Sequence, residues 1–258
     1  MALIKTPEEI EKMQRGGALL SSALKAVVDA VKPGAALRDL DIIAEKVISS
    51  GGGKPSFKGH KSHSEDTPFP STLCISIDEE IVHGLGDRSR KLKEGEIVGL
   101  DIGCWFEGLC TDMAVTVPVG DVSEEATKLM KETKASLYKG IEAAALGSHV
   151  SDIGAAVEAH INPFGYGIVR ALVGHGVGHK VHEDPRVPNF IDKKQPVVEL
   201  VEGMCLAIEP MIALGSSEVS TADDGWAVVM SDGSLGAHFE MTIAITKDGP
   251  KILTPLPV

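Results

Sequence analysis

"LKEGEIVGLDIG", residues 92–103, lies over "LVEGMCLAIEPM", residues 200–211, at an offset of 108. The overlay pairs Leu92 with Leu200, Glu94 with Glu202, Gly95 with Gly203 and Asp101 with Glu209. Both stretches run into apolar, β-branched sequence of the kind that forms strands, and both carry a carboxylate inside that run. An earlier correspondence has a constant offset of 113. It pairs Gly34 with Gly147, Leu37 with Val150, Asp39 with Asp152, Leu40 with Ile153, Glu45 with Glu158 and Ile48 with Ile161. Two matches in the same order predict two pseudo-repeat halves, about 1–120 and 121–258, related by a pseudo-twofold.

Each half opens with two helices. In "TPEEIEKM" (6–13), Thr6 suits the N-cap, Pro7 the first helical position and Glu9 a capping box. A helix is expected to about Val31, stopped by "KPG", and a second over about 37–48, ended by "SSGGG". From Ser123 the pattern recurs as a long helix, "GSHVSD" (147–152) and a helix to about Ile161. Strands are expected over 73–77, 96–103, 112–119, 168–174, 204–209 and 238–245. The result is an α/β (α+β) chain whose helices cover a curved, largely antiparallel sheet.

The 258 residues suffice for one large domain or two small ones. A net charge of −12 argues against a general nucleic-acid binder, because an acidic surface repels phosphate backbones. The one basic run, "RSRKLK" (88–93), reads as a solvated loop. Charges interrupt "MALIKTPEEIEKM" where a signal peptide needs an apolar core, and no apolar run approaches the ~18 residues of a membrane span. Cys74, Cys104, Cys110 and Cys205 lack paired CxxC spacing, so neither a disulfide framework nor a thiolate zinc site is expected, and the default setting is reduced and cytoplasmic.

Asp101 and Glu209 are costly inside apolar strands unless something pairs with them. For either alone an edge position facing water would suffice; the repeat, which puts one acid at the same point of each half, argues otherwise. Asp112 adds to the case. The strands around "CWFEGLCT" (104–111) contain the turn signal Glu107-Gly108. With a loop of two or four residues, Asp101 and Asp112 share a face, opposite or diagonal, roughly 5–8 Å apart. Such acids repel unless a proton or a cation intervenes. Glu240, in "AHFEMTIAI" (237–245), is a fourth strand acid.

"GHGVGHKVHEDP" (174–185) adds His175, His179 and His182. His175 and His179 have the spacing of a helical zinc pair, but Gly176 and Gly178 each cost about 1 kcal/mol in a helix. Gly176 also stands where that motif has its glutamate. The segment is therefore expected as a strand end or glycine loop. Four carboxylates and one imidazole suit two divalent first-row cations, oxygen-rich ligation favouring Mn, Fe or Co over a thiolate zinc site, with the ions about 3.5–4 Å apart.

At these residues the chain resembles the type I methionine aminopeptidases. The likeness rests on "PSFKG" (55–59), "FPSTLCISIDEEIVHG" (69–84), "LKEGEIVGLDIG", "CTDMAVTVPVG" (110–120), "LVGHGVGHKVHEDP" (172–185), "EGMCLAIEPM" (202–211) and "HFEMTIAI" (238–245), and covers essentially the whole chain. It implies the pita-bread fold, a single catalytic domain over 1–258, and two divalent metal ions drawn from Co, Mn, Fe or Zn. It also implies the ligands Asp101, Asp112, His175, Glu209 and Glu240, with Asp112 and Glu240 bridging. His83 and His182 fall on substrate-contacting positions, Glu209 on a proton shuttle, and His179 on a position without a role. Phe69, Cys74 and Trp226 fall on the methionine pocket. His60 stands where the family usually has tyrosine, beside an apparent insertion, "KSHSEDTP" (61–68), so rim specificity departs from the pattern there.

The implied reaction removes the N-terminal methionine from peptides and nascent proteins when the next residue is small. The implied partners are those N-termini and, transiently, the ribosome; nucleic acid and membrane are not bound directly, and the protein is a cytoplasmic monomer. Two alternatives stay open: a proline dipeptidase or aminopeptidase P on the same fold, and a binding protein that has lost catalysis. The first usually carries an extra N-terminal domain, for which a helix starting at residue 6 leaves no room; the second usually loses ligands.

Overall fold

The protein is described from a computed structural model covering residues 4–61 and 67–257. In the first half, α1 (Pro7–Ala30) and α2 (Leu37–Ser50) precede β1 (Lys54–Pro55), β2 (Leu73–Ile77), β3 (Glu80–Val82), β4 (Ile97–Phe106) and β5 (Leu109–Pro118). In the second, α3 (Glu124–Ala143) and α4 (Val150–Ile161) precede β6 (Gly167–Ile168), β7 (Gly174–Gly176), β8 (Glu183–Val187), β9 (Cys205–Ile208) and β10 (Met211–Ala213). Then follow β11 (Val219–Thr221), β12 (Val228–Met230), β13 (Gly236–His238), β14 (Glu240–Thr246) and β15 (Gly249–Ile252). Thr6 accepts from the Glu9 amide while Glu9 accepts from the Thr6 amide, so the capping box satisfies two donors that the start of α1 would leave orphaned.

Among the described residues every strand pairing is antiparallel. The main sheet runs β1-β4-β5-β14-β9-β7-β8, with β2 on β4 and β15 on β14. Alternation along each strand separates two surfaces. Leu73, Ile75, Val98, Leu100, Ile102, Met113, Val115, Leu206, Ile208, Met241 and Ile243 join the core formed with Leu20, Leu24, Leu40, Leu129, Ile153 and their neighbours on the helices. The intervening residues therefore face the other way: Cys74, Asp101, Asp112, Ala207, Glu240 and Thr242. The apolar period places the chemistry on the face away from the helices.

The two halves repeat their contacts as well as their sequence. The Gly34 amide donates to the Leu92 carbonyl and Leu92 to Ala35; Gly147 donates to Leu200 and Leu200 to Ser148. Gly34 and Gly147 have φ of 85° and 83°, and Gly95 and Gly203 both have 87°, conformations that L side chains rarely adopt. At the seam between halves, Glu240 pairs with Ala114. The Thr116 hydroxyl accepts from the His238 amide and donates to the His238 carbonyl, both at 2.9 Å. Thr242 does the same for Asp112, at 3.0 and 2.8 Å.

Three expectations are corrected. The strand expected over 168–174 is two short strands, because the chain leaves β10 at Ile168 and rejoins the main sheet at Gly174, opposite Val187 of β8. The strand expected over 238–245 is also divided. His238 pairs with Met211, whereas Glu240 pairs with Ala114, and Phe239 is buried between them where the chain changes sheets. The run 88–93 is more than a solvated loop. Arg88 pairs with Glu80 and donates to the Ile75 carbonyl, Arg90 pairs with Glu96, and Leu92 is buried. Residues 62–66 of the apparent insertion over 61–68 lie outside the described residues.

Candidate metal centre and substrate cavity

The β4–β5 hairpin closes on a two-residue turn at Glu107 and Gly108, with φ of 48° and 84°. That turn fixes Phe106 opposite Leu109, hence Gly103 opposite Asp112 and Asp101 opposite Ala114. The two acids are diagonal neighbours on one face. Glu240 arrives beside Ala114 on β14, Glu209 follows β9, and His175 on β7 pairs with Ala207. Five residues predicted from dispersed motifs thus converge on one side of the sheet. A ligand atom from each of Asp112, His175 and Glu240 lies within 4.8 Å of the others, as do those of Glu209, His238 and Glu240.

Burial acts on the ionisation of this group. Desolvation raises Asp101 to about 7, where His238 favours its charge and Glu209 opposes it; the Cys74 thiol donates to its carboxylate. Desolvation alone raises Glu209 to about 8. Asp112 and Glu240 are pushed well above the ordinary carboxylate range, first by desolvation and then by neighbouring acids. Buried Asp101 Oδ1, Glu240 Oε1 and His238 Nε2 have no hydrogen-bond partner. A set of buried acids that repel one another, with these three atoms lacking any partner, fits a divalent cation.

The histidines shift the other way. Desolvation lowers His175 to about 3 and His83 to about 4, with His182 adding to both, and it lowers His182 and His238 as well. A protonated His83 or His182 is therefore disfavoured; the neutral imidazole still donates one N–H.

These shifts set a pH dependence for metal-free protein. A carboxylate with raised folded pKa contributes stability that is full below its unfolded value near 4 and is lost as pH rises through the folded value. A histidine with lowered folded pKa does the reverse, and its effect is complete above about 6.5. Between pH 6.5 and 8 the histidine contributions are complete, and the slope comes from the raised carboxylates Asp101, Glu209, Asp112 and Glu240. The melting temperature in chelator is therefore expected to fall across that window by a few degrees, at roughly 2–4 °C per kcal/mol. Saturating Mn(II) is expected to remove the fall. A chelated protein whose melting temperature rises from pH 6.5 to 8 contradicts the assignment.

The centre lies in a cavity of about 710 Å³ lined also by Phe57, His60, Phe69, Cys74, His83, Leu172, His182, Met211 and Trp226. Phe69 and Trp226 meet edge to face at 5.1 Å. His182 stands edge-on to His175 at 4.5 Å and to His60 at 5.9 Å, carrying a line of imidazoles from the acids toward the rim. His83 follows β3 with a φ of 61°, a backbone state that costs energy for a non-glycine residue. His179 points elsewhere, 2.9 Å from Glu9 on α1.

The glycines around His175 have a packing reason. A Cβ at Gly174 would sit 2.4 Å from the Ala207 carbonyl, and one at Gly176 would sit 2.3 Å from that of Asp184. Neither strand neighbour can approach a larger residue so closely. Beyond them, Lys5 and Glu183 form a buried pair at 2.6 Å, and Glu183 also accepts from the Lys180 amide. Sequence reasoning missed this support, since Lys5 and Glu183 are far apart in the chain. It also missed His238, although that residue stands two positions before Glu240 in a quoted motif, and buried Asn189, whose side chain donates to the Glu209 carbonyl at 3.0 Å.

Fold and site together define a metal-dependent hydrolase of the pita-bread class. The model of metallopeptidase family M24 matches residues 11–247, and the chain belongs to this family. It is 44% identical to a methionine aminopeptidase of Clostridium acetobutylicum, over 98% of this chain and 99% of the relative. It is 45% identical to one of Aquifex aeolicus, over 96% of each. The crystal structure of methionine aminopeptidase from Thermotoga maritima superposes with a TM-score of 0.92 at 39% identity, covering 98% of this chain and 99% of that one. A prolidase from Pyrococcus furiosus shares the fold at a TM-score of 0.76 and 23% identity, with this chain spanning 66% of its length.

Proposed function

We infer that this chain is a type I methionine aminopeptidase, a divalent-metal-dependent hydrolase that removes the N-terminal methionine from peptides. The observation that carries the reading is the convergence of four strand acids and His175 at one end of a cavity lined by Phe69, Cys74 and Trp226. We further propose one catalytic domain over 1–258, built from halves of about 1–120 and 121–258, which their matched contacts support. Asp101, Asp112, His175, Glu209 and Glu240 would hold the cations, with Asp112 and Glu240 serving both. When bound, the cations would supply Lewis acidity at the scissile carbonyl and lower the pKa of a water toward neutrality.

The chain's own groups do the rest. Glu209 takes the proton of the attacking water and delivers it to the leaving nitrogen. His83 and His182 hold the substrate backbone and donate hydrogen bonds where negative charge develops on the carbonyl oxygen. Phe69 and Trp226 pack the methionine thioether against aromatic rings, beside the neutral Cys74 thiol, and His60 lies at the rim. We propose nascent-protein N-termini as substrates, with a small second residue preferred, transient contact with the ribosome, a monomeric state and a cytoplasmic setting. No helix among the described residues is long and apolar enough to cross a membrane.

The test is hydrolysis of Met-Ala-Ser against Gly-Pro peptides, before and after chelation and with each of Mn, Fe, Co and Zn restored. Release of methionine that disappears on chelation and returns with metal is expected. Cleavage of Gly-Pro in preference to Met-Ala-Ser overturns the substrate, and full activity in metal-free protein overturns the mechanism. Inactivity on both substrates with every metal supports a binding protein.

A further inference from the structure

We propose that His238 is a protein ligand of the metal centre, binding a divalent cation through Nε2 together with Glu209 and Glu240. The inference rests on the metallopeptidase reading and adds a donor outside the five residues that carry it. His238 Nε2 is buried and has no hydrogen-bond partner. It lies 3.5 Å from Glu209 Oε2 and 4.0 Å from Glu240 Oε2. Those separations exceed a hydrogen bond between nitrogen and carboxylate. Two donors bound at about 2.1 Å to one ion stand about 3.0–3.4 Å apart, so the three atoms need only a small contraction to share a cation.

The seam supplies a second argument. Thr116 fixes the amide and carbonyl of His238 as Thr242 fixes those of Asp112. The halves therefore present their residues at matched points, with the backbone of each held by the other half. One point carries a carboxylate assigned to the cations; the other carries an imidazole. With His175 on one side and His238 on the other, the centre has two imidazole donors. Nitrogen ligation moves preference from Mn(II) toward Fe(II), Co(II) and Zn(II).

The test uses the full chain labelled with ¹⁵N-histidine and loaded with Mn(II), counting coordinated imidazole nitrogens by pulsed electron paramagnetic resonance. Wild type, His175→Ala, His238→Gln and His238→Asn are compared, and each is melted in chelator to establish that it folds. Two histidine nitrogens are expected in wild type and one in each variant. Titration calorimetry is expected to show about tenfold or greater loss of affinity at one site in both His238 variants. A His238→Gln protein with the same nitrogen count as wild type overturns the assignment, even where affinity falls, because a histidine that only orients Glu209 weakens binding without coordinating. A count unmoved by His175→Ala as well overturns the metal reading of the whole site.

Discussion

Glu209→Gln is expected to lower kcat on Met-Ala-Ser by about 10³-fold, within the range for loss of a positioned general acid–base, with KM changed far less. Glu209 joins two requirements for proton transfer. Its carboxylate lies mostly buried between His175 and His238, 3.5 Å from each, and desolvation brings it to about 8 in the absence of a cation. A bound cation lowers that value by favouring the charged form, leaving a base that ionises near the working pH. Glutamine preserves shape and one acceptor oxygen but cannot accept or return the proton. The measurement pairs steady-state kinetics with metal content. A variant with full metal content and kcat within tenfold of wild type removes Glu209 from the proton-transfer role.

The histidines are expected to separate into three behaviours. His175→Ala should lose a cation and nearly all activity, since its ring lies beside Glu209 and shares a ligand cluster with Asp112 and Glu240. His83→Ala and His182→Ala should keep their metal and lose about 10²–10³-fold in kcat, the scale for removing one donor to a developing oxyanion. His179→Ala should leave metal content and kcat nearly unchanged. Its Nε2 faces Glu9 on α1, and a partly exposed pair of this kind is worth about 1 kcal/mol or less. Metal stoichiometry and kcat on the four variants decide the matter. A metal-depleted His179→Ala beside an intact His175→Ala reverses the assignment, and metal loss in His83→Ala makes that residue a ligand.

The sequence determined on its own whatever local periodicity and self-similarity can carry. The four expected helices followed from start and stop signals and from the repeat, down to the capping box of Thr6 and Glu9. The facing of Asp101 and Asp112 followed from a loop of two or four residues and the strand period of two. The repeat and the resemblance named five residues from dispersed motifs, although no spacing argument by itself brings His175 to Glu240. Tertiary structure decided what depends on where the chain leaves one sheet for another. His238 and Glu240 lie two apart in a run that reads as one strand, yet they pair with β10 and β5. Thr116, more than a hundred residues away, takes over the backbone bonds of His238, and no local pattern encodes that exchange. The same holds for Lys5 with Glu183 and for Asn189 with the Glu209 carbonyl. A buried polar group is tolerated only when its partner arrives, and these partners are supplied by distant segments that meet only once the two halves close on each other.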